Sequence, residues 1–124
     1  LAAKDRTEPQ GRAIYQASCA RCHGLEREGA PNWQQQNPDL TYPPPPHDST
    51  GHTWHHSDGV LYRIVRDGGK AYEGPGFKSA MPPFRDLLSP EETRAVIIYL
   101  KSLWGSKERA FQADASLKDP FPDE

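Results

Sequence analysis

Residues 19–23 read Cys-Ala-Arg-Cys-His, which sets two thiols three positions apart and an imidazole directly after the second. Cys-x-x-Cys-His is the spacing of covalent haem attachment. On a helix, residues three apart share a face, so two thiols can reach the two vinyl groups along one haem edge. The following imidazole is then close enough to turn toward the iron. Cys19 and Cys22 are the candidate thioether residues and His23 the candidate proximal ligand. Two other chemistries use a Cys-x-x-Cys pair. A thioredoxin-like redox pair wants a βαβ context, which the chain lacks, and a zinc site wants a second ligand pair, which two cysteines in all cannot supply.

A six-coordinate haem iron needs a second axial ligand. The chain has one methionine, Met81, in "SAMPPF". A lone Met is usually a core filler, but this one stands in a Gly/Pro-rich stretch and not on an apolar stripe. Pro82 and Pro83 stiffen the backbone behind it, which suits a weak thioether ligand opposite His. A rival metal site is "HTWHH" at 52–56, with His47 just upstream, so four of the five histidines fall within ten residues. Gly51 before them and the cap signal at Ser57-Asp58 place His52, His55 and His56 in loop, entering a helix. A solvated or hydrogen-bonded loop, near a haem propionate, is the expectation there; a zinc or copper site is the alternative.

These residues must be positioned by helices. The first expected helix is "TEPQGRAIYQASCARC", with Thr7 as N-cap, Pro9 in the first turn, Gln10 closing a capping box, and Gly24 as its stop. Gly11, Ile14, Tyr15, Ser18, Cys19 and Cys22 recur at helical spacing. The second is "SDGVLYRIVRDGG", capped by Ser57 or Asp58, with Val60, Leu61, Ile64 and Val65 as the buried stripe. The third is "SPEETRAVIIYLKSLW", opened by Ser89, Pro90 and Glu92, with Val96, Tyr99, Leu100 and Leu103 on its inner face. No strand pair and no repeat stands out. About thirty residues separate the first two helices and include "YPPPPH", expected to be extended polyproline. A connection that long argues for wrapping around something.

Composition supports a single domain with something added at its centre. The chain has 124 residues, 35% hydrophobic, 13 prolines and a net charge of −2, with a mean hydropathy of −0.86. A large bound cofactor would supply the apolar surface that the residues do not. Mixed charge gives no reason to expect nucleic-acid or anionic-membrane binding. The longest apolar run, Ala95 to Leu100, is too short to span a bilayer. "LAAKDRTEPQ" is read as a mature or trimmed start, with any export signal removed.

Taken together, "GRAIYQASCARCHG", "HHSDGVLYRIVRDGG", "AMPPF" and "LSPEETRAVIIYLKSL" resemble a class I c-type cytochrome, in the family's order and across most of residues 8–104. "PDLT" followed by "HHSDGVLYRI" is similar to bacterial periplasmic cytochromes, free or fused to larger redox enzymes. The resemblance implies an all-α cytochrome c fold: three main helices and long loops around one covalently bound haem c. It implies that Gly11 and Tyr15 meet Val96 and Tyr99 where the first and last helices cross. It implies residues 1–104 as the cytochrome domain, with 105–124 a polar tail, docked or flexible. The Pro-rich segment 29–56 and that tail depart from the family pattern.

The implied function is electron transfer, not enzymatic catalysis: a periplasmic, respiratory-chain type of carrier, with Cys19, Cys22, His23 and Met81 holding the haem and His23 and Met81 the iron. Partners would be a dehydrogenase, reductase or oxidase, met transiently at the haem edge. The alternatives are a haem c subunit or domain of a larger oxidoreductase and, less favoured, a haem enzyme or sensor with an open iron site. Trp33, Tyr42, Trp54 and Tyr72 are candidates to cover the haem edge, against ordinary packing. Arg21, Arg27, Lys70, Lys78 and Arg85 are candidates for a docking ring, though Glu26, Glu28, Glu73 and Asp86 interrupt them.

Overall fold

The computed structural model describes residues 7–24 and 26–124, and only the backbone of residues 7, 71 and 72. The regular elements among the described residues are helical, as the sequence implies. In chain order they form α1 (Thr7–Ile14), a π turn (Tyr15–Cys19), α2 (Ala20–His23), a 3-10 turn (Thr53–His55), α3 (Asp58–Asp67), a second 3-10 turn (Gly69–Tyr72), α4 (Pro90–Lys101) and α5 (Ser106–Ser116). An isolated bridge between Gly74 and Phe77 is the only extended pairing among the described residues. None of the described helices is long and apolar enough to cross a membrane.

The first expected helix is one rod, but not uniformly α. The π turn widens it up to the first cysteine, an irregularity that tends to accompany functional sites. The rod stops at Gly24, whose φ of +91° no residue with a Cβ adopts readily. The cap expected of Thr7 depends on a side chain outside the described ones.

Helix α4 has the start foreseen for it. The Ser89 hydroxyl accepts from the Glu92 backbone N–H, the Glu92 carboxylate accepts from Ser89 N–H, and Pro90 occupies the first turn. It ends at Lys101, not Trp104. Val96, Tyr99 and Leu100 are buried as expected and Leu103 is half-buried, while Ile97 and Ala95 are buried too. Helix α1 crosses it at Gly11, which lies against the Ala95 backbone and the Cβ of Tyr99. Of the two partners expected at the crossing, Tyr99 lies directly against Gly11, with the Ala95 backbone beside it. Tyr15 and Tyr99 continue the contact, with ring centroids 5.8 Å apart.

Helix α3 is capped by Ser57, whose hydroxyl accepts from the Val60 N–H at 3.1 Å. Its buried face differs from the apolar stripe. Leu61 and Tyr62 are buried, whereas Val60, Ile64 and Val65 stay half-exposed. Tyr62 can be buried because its hydroxyl donates to Glu124 Oε1 at 2.8 Å and its ring meets Phe121.

Residues 105–124 carry α5, which the expected three helices did not include. It packs on the Thr53–His55 turn and on α3. The chain beyond α5 continues along α3: the Asp119 carboxylate accepts from Arg63 at 2.7 Å and from Ser57 Oγ at 2.8 Å, and its carbonyl accepts from Gly59 N–H.

Candidate functional site

The α1–α2 rod brings Cys19, Cys22 and His23 together. Neither cysteine is in a disulfide; Cys19 is half-buried and Cys22 exposed. Burial and the neighbouring Cys22 push the Cys19 thiol up to about 11. That environment disfavours the Cys19 thiolate that a redox dithiol would use.

His23 is buried, and its Nδ1 lies 2.8 Å from the Pro45 carbonyl oxygen. A carbonyl only accepts, so Nδ1 carries the proton and Nε2 keeps its lone pair. Burial lowers the His23 pKa, partly offset by that hydrogen bond, which favours the neutral ring a metal ligand must be. Two unpaired thiols beside an imidazole with one committed and one free nitrogen fit a covalently held haem.

The acceptor comes from the Pro-rich segment, and its composition explains why. Prolines have no N–H, so the run offers carbonyls only. Three successive ones are used: Pro44 O accepts from Ala30 N–H at 2.8 Å, Pro45 O from His23, and Pro46 O from the Thr53 hydroxyl at 3.4 Å. Behind His23, the Tyr15 hydroxyl donates to Gly24 O at 2.8 Å and fixes the rod's end.

Met81 stands on a different segment, the loop between α3 and α4, and is half-buried. Its backbone is anchored on both sides: its N–H donates to Ser79 Oγ at 3.2 Å, and its carbonyl accepts from Gly69 N–H at 3.3 Å. Phe84 and Arg85 then donate their backbone N–H groups to Val65 and Arg66 of α3, and the Arg85 guanidinium pairs with Asp67. The prolines after Met81 are thus backed by direct ties to α3.

The histidines divide. His52 and His55 have ring centroids 5.0 Å apart, and both lie among aromatics: Trp33 at 5.4 Å from His52, and Trp54 and Phe111 at 3.8 and 5.6 Å from His55. Among the described residues no three His, Cys, Asp or Glu side chains gather as a metal site. His47 leaves the group altogether. Its ring lies 4.1 Å from that of His23, and burial with the nearby His23 lowers its pKa well below the ordinary value.

The candidate surface residues also divide. Arg27 is half-buried and donates to the Tyr99 hydroxyl at 2.9 Å, and Arg85 is engaged with Asp67, so neither stands free for docking. Trp54 donates to Ser49 O at 3.2 Å and packs on the core. Tyr42 is exposed beside Phe77. The Tyr72 side chain lies outside the described ones.

Comparison with known proteins agrees with this geometry. Residues 6–100 match the family model of cytochrome c oxidase, cbb3-type, subunit III. The cbb3-type cytochrome c oxidase subunit FixP of Sinorhizobium medicae (strain WSM419) is 28% identical over 94 residues, covering 75% of this chain and 29% of that protein. A chain of the Kuenenia stuttgartiensis reducing HAO-like protein complex Kustc0457/Kustc0458 superposes with a TM-score of 0.52 at 26% identity, covering 80% of this chain and 43% of that one. The chain therefore spans less than half of either relative. With the Cys-x-x-Cys-His rod and the Pro45-oriented imidazole in place and the family model matched over residues 6–100, the chain belongs to the family of cytochrome c oxidase, cbb3-type, subunit III.

Proposed function

We propose that the chain is a single-haem electron-transfer unit in which Cys19 and Cys22 hold the haem through thioethers and His23 and Met81 ligate its iron. The observation that carries the reading is the His23 Nδ1–Pro45 O hydrogen bond, which leaves Nε2 as the free donor. When bound, the haem supplies a one-electron ferric/ferrous couple. The protein's part is to keep both ligands in place as charge changes. Pro45 orients the imidazole, while Ser79, Gly69 and the α3 ties hold the Met81 backbone. The half-exposed stripe Val60, Ile64 and Val65 is apolar surface suited to a haem face. With His23 and Met81 both committed to it, a bound iron would offer no open position to a substrate, which suits carrying electrons and not transforming a molecule.

In this reading the protein works in the periplasm and meets dehydrogenase, reductase or oxidase partners by transient contact at the haem edge. Residues 105–124 are part of the same unit as 1–104, given the contacts of α5 and Asp119. A second reading shares the chemistry and changes the setting: the chain is the haem domain of a larger oxidoreductase. Its support is that both relatives named above are components of assemblies and longer than this chain.

The test is the ferric absorption spectrum of the parent and of Met81→Ala. The parent should show the sulfur-to-iron charge-transfer band and the variant should lose it. A parent without that band removes Met81 as ligand. Carbon monoxide binding to the reduced parent without denaturant would favour an open iron site and sink the carrier reading.

A further inference from the structure

His47 stands in the sequence with His52, His55 and His56, yet its ring partner is His23. Its ring packs on His23 with centroids 4.1 Å apart and planes tilted by 41°. Tyr15 meets the same ring edge-on, at 6.5 Å and 83°. Three hydrogen bonds hold His47 there. Its Nδ1 is 2.6 Å from Thr53 Oγ1, its backbone N–H donates to Arg27 O at 3.0 Å, and its carbonyl accepts from Trp104 Nε1–H at 2.9 Å.

The hydrogen bond from His23 to Pro45 fixes where Nδ1 sits, but one bond at the ring's edge leaves the ring free to rock about its attachment. A second ring tilted against it at 4.1 Å limits that freedom. Within three residues, Pro45 and His47 therefore contact the His23 ring by a hydrogen bond and by ring packing. Groups behind a metal ligand orient it and tune the metal through it.

We propose that His47 is a positioning residue that sets the plane of the His23 imidazole, with Thr53 and Trp104 holding His47 in turn. The proposal rests on His23 being the iron ligand. The plane of an axial imidazole determines how the ferric iron's unpaired electron is distributed over the haem. Its orientation is therefore read directly in the ferric protein, apart from stability. The role is steric, so a planar ring of similar size should fulfil it without a ring nitrogen.

The experiment uses the ferric holoprotein and compares the parent with His47→Ala, His47→Phe and Thr53→Val. Electron paramagnetic resonance g-values and the order of the paramagnetically shifted haem-methyl proton resonances are the readouts. His47→Ala should shift the g-values and reorder the methyl resonances, and His47→Phe, which keeps a ring but also loses the Thr53 hydrogen bond, should be displaced no further than Thr53→Val. Thr53→Val should move both in the direction of His47→Ala, by less. A His47→Ala protein with the parent pattern overturns the proposal, and so does a His47→Phe protein as far displaced as His47→Ala. Should His47→Ala fail to hold haem, Thr53→Val decides: an unchanged pattern there overturns the proposal. Failure of the underlying reading shows separately, because the parent itself would then lack a low-spin, His-ligated ferric spectrum before any variant is compared.

Discussion

Gly11 packs backbone to backbone against Ala95: a Cβ on Gly11 would come within 2.8 Å of the Ala95 carbonyl carbon and 2.7 Å of the Tyr99 Cβ. Neither neighbour is the flexible end of a side chain, so the helices themselves would have to part. Gly11→Ala should destabilise the holoprotein by about 1–3 kcal/mol through overpacking. Gly76→Ala is the control, because nothing lies within 4 Å of its added methyl; it should stay within about 0.5 kcal/mol of the parent. Denaturant unfolding of the two variants side by side tests this. Equal midpoints would mean that the crossing tolerates a wider gap than its geometry allows.

Gly68 ends α3 at φ +75° and ψ −177°, a region open essentially to glycine alone. A Cβ there would also stand 2.7 Å from the Met81 carbonyl. Gly68→Ala should cost about 1–3 kcal/mol in backbone strain and push the Met81 loop outward. The second effect distinguishes it from ordinary destabilisation. At a temperature where the variant remains folded, the sulfur-to-iron charge-transfer band should weaken and the reduction potential should fall, since a looser thioether favours the ferrous state less. An unchanged band in a destabilised variant would separate Gly68 from the ligand loop.

What could be read from the sequence was what depends on neighbours in the chain. The thiol spacing at Cys19 and Cys22, the adjoining His23 and the capping box of Ser89 and Glu92 are local patterns with local causes. Tyr62 was not legible as core, because its hydroxyl is satisfied by Glu124, 62 residues away. Helix α5 escaped because its buried member is Gln112, a polar residue that periodicity counts as surface. His47 was grouped with the wrong histidines because linear proximity says nothing about where a proline run delivers its end.

Asp119 accepts from both Arg63 guanidinium nitrogens, at 3.2 and 2.7 Å, and from Ser57 Oγ. The Arg63 hydrogen bonds, then the Ser57 one, hold its pKa below the usual carboxylate value. With a folded pKa below the unfolded one, the unfolded chain takes up protons first as pH falls. The stabilisation is therefore complete above the unfolded value of about 3.9 and disappears as pH drops through the folded value. Both side chains are more than a third exposed, so solvent screening limits the pair to about 1 kcal/mol or less. Asp119→Asn should melt lower than the parent at about pH 7, and the gap should narrow at about pH 3. A gap that persists undiminished in acid would assign the effect to shape and not to charge.

Gln112 has no exposed surface, and its amide Nε2 donates to His56 O at 3.1 Å and to Asp58 Oδ1 at 2.7 Å. Asp58 has a second partner, the Lys101 ammonium at 2.9 Å, so the His56 carbonyl loses more when the amide is removed. Gln112→Leu keeps the volume and removes the donor, and should cost about 1–3 kcal/mol for the unsatisfied carbonyl. Gln112→Glu should be worse at neutral pH, because it sets a second carboxylate beside Asp58 as well as deleting the donor. Its deficit should shrink as pH falls through the carboxylate range, where protonation restores an O–H donor and removes the repulsion. The pair is measured by thermal melting of the holoprotein across that range. If α5 were a loosely attached tail, both variants would melt with the parent at every pH, because a side chain already open to water loses nothing by the exchange.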